Sequence, residues 1–382
     1  MGDLTMIRSL GLANVPSIVI TTEPDDIKLR SRYAHGYYLV EGFAAEKAEK
    51  TCAQLVELAR RLRPFVSGRM PLFYGTDAQL AFVHRFRDVL SEGYLFLLNS
   101  DELAHALWDK ELFFDVARRA GVPVPRTARG DDLDELSRLR APLLVKPRTK
   151  IDWKHLRNTL FLGGAKARVF GALEELLQDP HFTAARGSVL VQEHIPGTVR
   201  DLYSFHGFVD REGSLLSHYV GRKIRTYPER AGESSFIELV HDDRVAELGM
   251  RVAAALGVRG VFKIDVIRDE RDGSFQVLEV NARYNLWNYL GAVHGVNLPL
   301  VAYEYLVHGA APRRPSTYRP RYRWLHFYRD YKAYRERDGG PMGLATWAAS
   351  IATSRNVYES FAWTDPQPFG AWAVDALRRK LL

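Results

Sequence analysis

The spacing of apolar residues changes several times along this chain, and each change marks an element. Residues 4–12 repeat at helical spacing, and 15–20 form a short apolar run that reads as a buried strand. Residues 37–40, 70–74 and 94–98 read as further strands, separated by helical patterns over 44–62 and 78–89. Such alternation predicts a small open sheet with helices on its faces, occupying residues 1–100. A doubly wound unit has a strand ahead of its first helix. None is visible here, so the first strand is expected to be missing, either by truncation or because the domain lacks it.

Beyond residue 100 the order is different. A helix is expected over 101–120, capped by Ser100 or Asp101 and ended by Gly121. Strands follow at 142–147, 188–193, 201–209 and 215–222, with helices at 167–177 and 243–256. The basic stretch 148–164 closes on Leu162-Gly163-Gly164 and reads as a loop with room to move. Two β-rich arms, 261–268 and 274–283, flank a polar break ending at Gly273, the pattern of a hairpin with a longer loop. Mixed strands and helices make this an α+β region distinct from the first hundred residues.

Composition narrows the picture. With 382 residues, 46% of them hydrophobic and 26% charged, the chain is folded and long enough for two or three domains. Lys and Arg number 53 against 46 Asp and Glu, and the pI near 9.3 favours anionic partners. The single cysteine, Cys52, excludes an internal disulfide and a Cys-based metal site. No apolar run is long enough to span a bilayer and no secretory signal opens the chain, so a cytoplasmic location is expected.

The hairpin carries the candidate chemistry. Glu279 and Asn281 are two apart and share a strand face, and folding about the loop brings Asp265 near them. Two facing carboxylates repel unless a cation lies between them. Asp, Glu and Asn offer only oxygen, the donor set of Mg²⁺, which usually keeps positions for water and substrate phosphates.

The run Leu278-Glu279-Val280-Asn281-Ala282-Arg283 resembles the metal-binding strand of the ATP-grasp superfamily. Four further segments fall in that family's order: Trp108-Asp109-Lys110 with Gly121-Val122-Pro123, Val145-Lys146-Pro147, Val191-Gln192-Glu193-His194-Ile195-Pro196-Gly197, and Gly221-Arg222-Lys223-Ile224-Arg225. The resemblance implies an α/β and α+β chain: an ATP-grasp fold behind a small Rossmann-like pre-ATP-grasp domain. Expected subdomains are 101–187 and 188–311, the second holding the metal site, followed by a helical carboxy-terminal extension at 312–382.

Resemblance also implies roles. Asp265, Glu279 and Asn281 would hold Mg²⁺ (or Mn²⁺), and Lys110 and Lys146 the phosphates of ATP. Gln192, Glu193 and Ile195 would lie at adenine and Asp201 at the ribose, while Arg222, Lys223 and Arg283 would face the transferring group. The implied activity is an ATP-dependent carboxylate–amine ligase, or a carboxylate–thiol one, acting through an acyl phosphate. Asp265 stands where many relatives carry Glu, and the basic 148–164 stretch departs from a short glycine-rich flap. The extension is similar to that of ligases likened to D-aspartate ligase, which implies cell-wall or peptide-like substrates. Two alternatives stand beside this: a kinase-like or regulatory ATP-binding module, and a binder of nucleic acid or an anionic surface. The latter would use the basic, aromatic tract 313–337, though nucleic acid is the disfavoured partner. A homodimer is the commonest assembly to expect.

Overall fold

The computed structural model describes residues 2–162, 165–229, 232–309, 318–336 and 342–381. Helix Gly2–Gly11 buries Leu4, Met6, Ile7 and Leu10. Strand β1 (Ser17–Thr21) pairs in parallel with β2 (Ala34–Leu39), and β3 (Met70–Pro71) with β4 (Tyr94–Leu95). The single open sheet expected here is therefore two separate parallel pairs among the described residues. β3 and β4 are only two residues each, and Pro71 has no N–H to extend the ladder. A shared core still joins the pairs: Ile20 and Tyr38 pack with Leu72, Tyr94 and the buried face of helix Ala48–Leu62.

The helix expected over 101–120 is broken into Asp101–Trp108 and Lys110–Arg119. Asp109 lies between them in extended conformation, and its carboxylate accepts hydrogen bonds from the Glu111 and Leu112 amides, capping the second helix. That cap places Lys110 at the head of the second helix. The next sheet is antiparallel, in the order β5 (Thr127–Arg129), β8 (Val189–Glu193), β6 (Leu143–Pro147), β7 (Arg168–Phe170). Residues 168–170 were expected in a helix. They form an edge strand because Phe170 is needed in the core opposite Leu143, and the helix starts only at Leu173. The stretch expected as an open loop contains helix Lys150–Leu156, started by a capping box between Thr149 and Asp152. Gly163 and Gly164 lie outside the described residues.

The third sheet has seven strands. β9 (Leu202–Val209), β10 (Leu215–Tyr227), β11 (Glu233–Val240), β12 (Gly260–Arg268), β13 (Phe275–Asn281), β14 (Tyr322–Leu325) and β15 (Arg355–Tyr358) run in the order β13-β12-β9-β10-β11-β14-β15. One face packs through Phe205, Phe262, Ile264 and Val266 onto helix Asp243–Ala255. The other packs through Phe208, Tyr219 and Val261 onto helices Asn288–Val293 and Leu298–His308.

Neither β14 nor β15 was expected from the sequence. They turn the basic, aromatic tract into sheet: Trp324 is fully buried, and Tyr318 is buried with its hydroxyl donating to the Val240 carbonyl at 2.6 Å. Arg323 pairs with Glu238 at 3.2 Å. Neither of these two buried rings has a face free to stack on a base, while Phe327, Tyr328 and Tyr331 of the same tract are exposed. Arg313 and Arg314 lie outside the described residues. No described helix is long and apolar enough to cross a membrane.

Asp365 ties the end of the chain to its beginning. Its fully buried carboxylate accepts from Arg8 Nε at 2.9 Å, Ser31 Oγ at 2.8 Å and the Arg32 amide at 2.8 Å. Arg8 also donates to the Glu359 and Ser360 carbonyls. Removing one partner of such a pair leaves the other charge buried and unmatched. Asp365→Asn is expected to lower unfolding stability by about 3 kcal/mol in urea denaturation. A change below about 0.5 kcal/mol, the range of an ordinary surface substitution, would mean the clasp contributes little.

Candidate functional site

The hairpin aligns Asp265 directly opposite Glu279 and Lys263 opposite Asn281. On its other side β12 pairs with β9, so Asp265 faces Ser204 and Lys263 faces His206. Asp265 is buried; it accepts a hydrogen bond from Ser204 Oγ, and Lys263 Nζ lies 2.7 Å from its second oxygen. Burial penalises its charged form, but the ammonium groups of Lys263 and Lys223 outweigh that and hold the carboxyl well below the usual range. Burial lowers Lys223 in turn, against the opposing pull of Asp265.

Asn281 donates from Nδ2 to Glu279 Oε1 at 2.9 Å, so its amide oxygen points the other way and accepts from Arg283 Nη2 at 3.4 Å. Arg283 also pairs through Nε with Asp77, at the start of helix Asp77–Arg85, which fastens the metal-strand end to the amino-terminal region. Sequence reasoning missed Lys263 and Ser204. Lys263 sits two residues before Asp265 and so shares its face, a signal that was available. Ser204 becomes a partner only through strand pairing.

Lys146, on β6, donates to Gln192 Oε1 at 3.2 Å and lies 4.3 Å from the centroid of the Phe114 ring. Burial, with Lys110 nearby, pushes its ammonium down to about 7, against a pull from Glu279. Lys110 Nζ donates to the Pro147 carbonyl at 3.0 Å. Two lysines thus meet at the end of one strand, and the charge of Glu279 reaches them from the other sheet.

The remaining expected residues are placed less simply. Gln192 is committed by its side chain to Lys146 and to Thr127 Oγ1, at 2.8 Å. The Glu193 carboxylate accepts from the Arg140 amide, and Ile195 is buried. Asp201, expected at a ribose, accepts from the Thr198 amide and hydroxyl and from Arg268 Nη2 at 2.6 Å. Burial raises its pKa and these bonds bring it down overall. It holds the turn at 198–201 in shape.

Arg222 is not brought to the site. It pairs in register with Tyr203 and Glu238, so it lies on the face opposite Ser204 and Asp265, and it donates to Glu238 at 2.6 Å. Strand alternation separates it from Lys223, which keeps the expected face.

Among the described residues no three His, Cys, Asp or Glu side chains are grouped to hold a metal. The candidate donors are two carboxylates and one amide. Asp265 and Glu279 face each other, and Asn281 shares their face with its amide oxygen turned toward Arg283. As oxygen donors the three suit a hard divalent cation completed by water and phosphate once that amide is turned over.

No family model matches the chain. It is 20% identical over 234 residues to the D-aspartate ligase of Enterococcus faecium (strain Aus0004), a match covering 58% of this chain and 55% of the ligase. The matched region thus spans about half the length of that relative. Among solved structures, the biotin carboxylase domain dimer of the Hydrogenobacter thermophilus 2-oxoglutarate carboxylase, in complex with MgADP, ADP and bicarbonate, superposes with a TM-score of 0.59. Identity is 17%, over 81% of this chain and 68% of that one. The L-amino acid ligase of Bacillus licheniformis gives a TM-score of 0.57 at 15% identity, over 83% of this chain and 75% of the other.

A lysine pKa depressed on folding means that the unfolded chain binds more protons between that value and the ordinary 10.5. Stability therefore rises with pH above about 7. Urea unfolding of Lys146→Met at pH 7 and pH 9 should show a smaller rise than the wild type. An equal rise in both proteins would show that Lys146 is not held in its neutral form.

Proposed function

On the premise of the ATP-grasp fold, which this chain carries, we propose that it is an ATP-dependent ligase joining a carboxylate to an amine through an acyl phosphate. The observation that carries the reading is the pairing of Asp265 with Glu279, beside Asn281, on a face shared with Lys223 and Lys263 and within reach of Lys146. An oxygen donor set surrounded by lysines suits a triphosphate with its cation better than it suits either alone. The D-aspartate ligase and L-amino acid ligase matches support the bond type.

In this reading a substrate carboxylate oxygen attacks the γ-phosphorus of ATP and ADP departs. The amine nitrogen then attacks the acyl carbon and phosphate leaves. The protein supplies position and charge, with no side-chain nucleophile. Lys110 and Lys146 take the phosphates; for Lys146 the phosphates supply the negative charge that its buried ammonium lacks. Lys223 and Arg283 face the transferring group, and Lys263 balances Asp265. Asp265, Glu279 and Asn281 would hold Mg²⁺, which, when bound, neutralises phosphate charge. The base would lie along residues 193–195, against Ile195, with Asp201 shaping the turn behind it.

The test is ADP release from MgATP with pools of amino acids and small carboxylates, comparing wild type with Glu279→Gln. Stimulation by an acid–amine pair, reduced about 100-fold or more in the variant, is the expected result. Tight Mg²⁺-dependent ATP binding that no pool converts into turnover would reduce the reading to a nucleotide-binding module, unless larger acceptors restore activity.

A further inference from the structure

β10 places Arg222, Lys223, Ile224 and Arg225 in succession, and in a regular strand Lys223 and Arg225 would share a face. The pairing with β11 breaks that rule. Arg222 opposes Glu238 and Lys223 opposes Ile237, but it is Arg225 that opposes Phe236, leaving Ile224 as an extra residue. This is a bulge, and it sends the two cations to opposite faces. Lys223 turns toward Asp265, and Arg225 turns outward, its guanidinium 4.6 Å from the centroid of the Phe236 ring.

What receives Arg225 on the outer face comes from the far end of the chain. Asp330, in helix Phe327–Arg335, is fully buried and accepts from Arg225 Nε at 2.8 Å and Nη2 at 2.7 Å. It also accepts from Ser235 Oγ at 2.8 Å and Trp347 Nε1 at 2.9 Å. Ser350 Oγ, in helix Leu344–Ala352, accepts from Arg225 Nη1 at 3.0 Å. Without this carboxylate the Arg225 guanidinium, only 12% exposed, would be left unmatched in the sheet that also carries Asp265 and Glu279.

We propose that Asp330 is a positioning residue of the candidate site: it holds Arg225 on the outer face, stabilises the bulge at Ile224, and so leaves Lys223 alone of the two to face Asp265 and Glu279. The carboxy-terminal segment then serves the site without touching it. The activity arm of the test rests on the ligase reading; the labelling arm does not.

The experiment compares Asp330→Asn, the double variant Arg225→Met with Asp330→Leu, and Asp365→Asn, which loosens the extension elsewhere. Two quantities are read: kcat and KM for MgATP in acid-stimulated ADP release, and the rate at which acetic anhydride acetylates Lys223, followed by mass spectrometry. Asp330→Asn should lower kcat by about tenfold to 100-fold, with KM changed less than about threefold, and should alter Lys223 acetylation. The double variant removes the misplaced charge together with its partner, and apolar replacement of a buried pair is well tolerated. It should recover kcat and the wild-type acetylation rate. Asp365→Asn should lose stability while leaving both readouts unchanged. A folded double variant as impaired as Asp330→Asn would overturn the proposal. So would Asp330→Asn and Asp365→Asn behaving alike. If the wild type releases no ADP with any substrate, it is the ligase reading that fails, and acetylation still decides the role of Asp330.

Discussion

Two carboxylates set face to face across a strand pair repel each other, and much of this molecule is arranged around that repulsion. Register fixes Asp265 opposite Glu279, and the fold answers with Lys263 on the same strand and Lys223 two strands away. Lys146 approaches from the other sheet, and Lys110 from the head of the helix beside it. The arrangement is balanced as it stands but dense in both signs. Dense opposite charge in a partly buried cleft is what a polyanion with its cation can enter without leaving any charge unmatched. The phosphoryl transfer proposed above calls for no nucleophilic side chain.

The same logic extends to the periphery. Two arginines, the buried Arg8 and the largely covered Arg225, are each matched by a buried aspartate of the carboxy-terminal segment, Asp365 and Asp330. Buried pairs are weak evidence for stability, because apolar packing often does as well. Their value here is geometrical: one joins the first helix to the last segment, and the other fixes the face on which a cation emerges from β10. The two strands that this segment adds, β14 and β15, extend the sheet that carries the site.

Local patterns in the sequence foretold much of this and missed the rest for physical reasons. The hairpin was legible because two β-rich arms and a glycine turn are short-range features. Its register was not: Asp265 falls opposite Glu279, not Leu278 as counting from the loop would give, because a bulge shifts the register between Val266 and Asp265. Asp265, Glu279 and Asn281 were expected together from its two arms and do lie together there, while Lys146 belongs to the other sheet. Arg222 was misplaced although alternation from its neighbour Lys223 already puts the two on opposite faces; what the sequence does not display is the bulge at Ile224, which sets the face of Arg225. β14 was invisible because it exists only by pairing with β11, more than 80 residues away, and β15 because it pairs in turn with β14. Asp101–Arg119 read as one helix because an aspartate can sit inside a helical pattern, and only geometry reveals that Asp109 ends one helix and caps the next.

The central claim is that this fold activates a carboxylate by phosphorylation, and trapping the intermediate tests it most directly. The protein would be incubated with MgATP, a pool of carboxylic acids and hydroxylamine in place of the amine. The account predicts a hydroxamate of one acid in the pool, formed in equal amount with ADP and phosphate. Release of AMP and pyrophosphate, or ADP formation that no acid stimulates and that yields no hydroxamate, would contradict it.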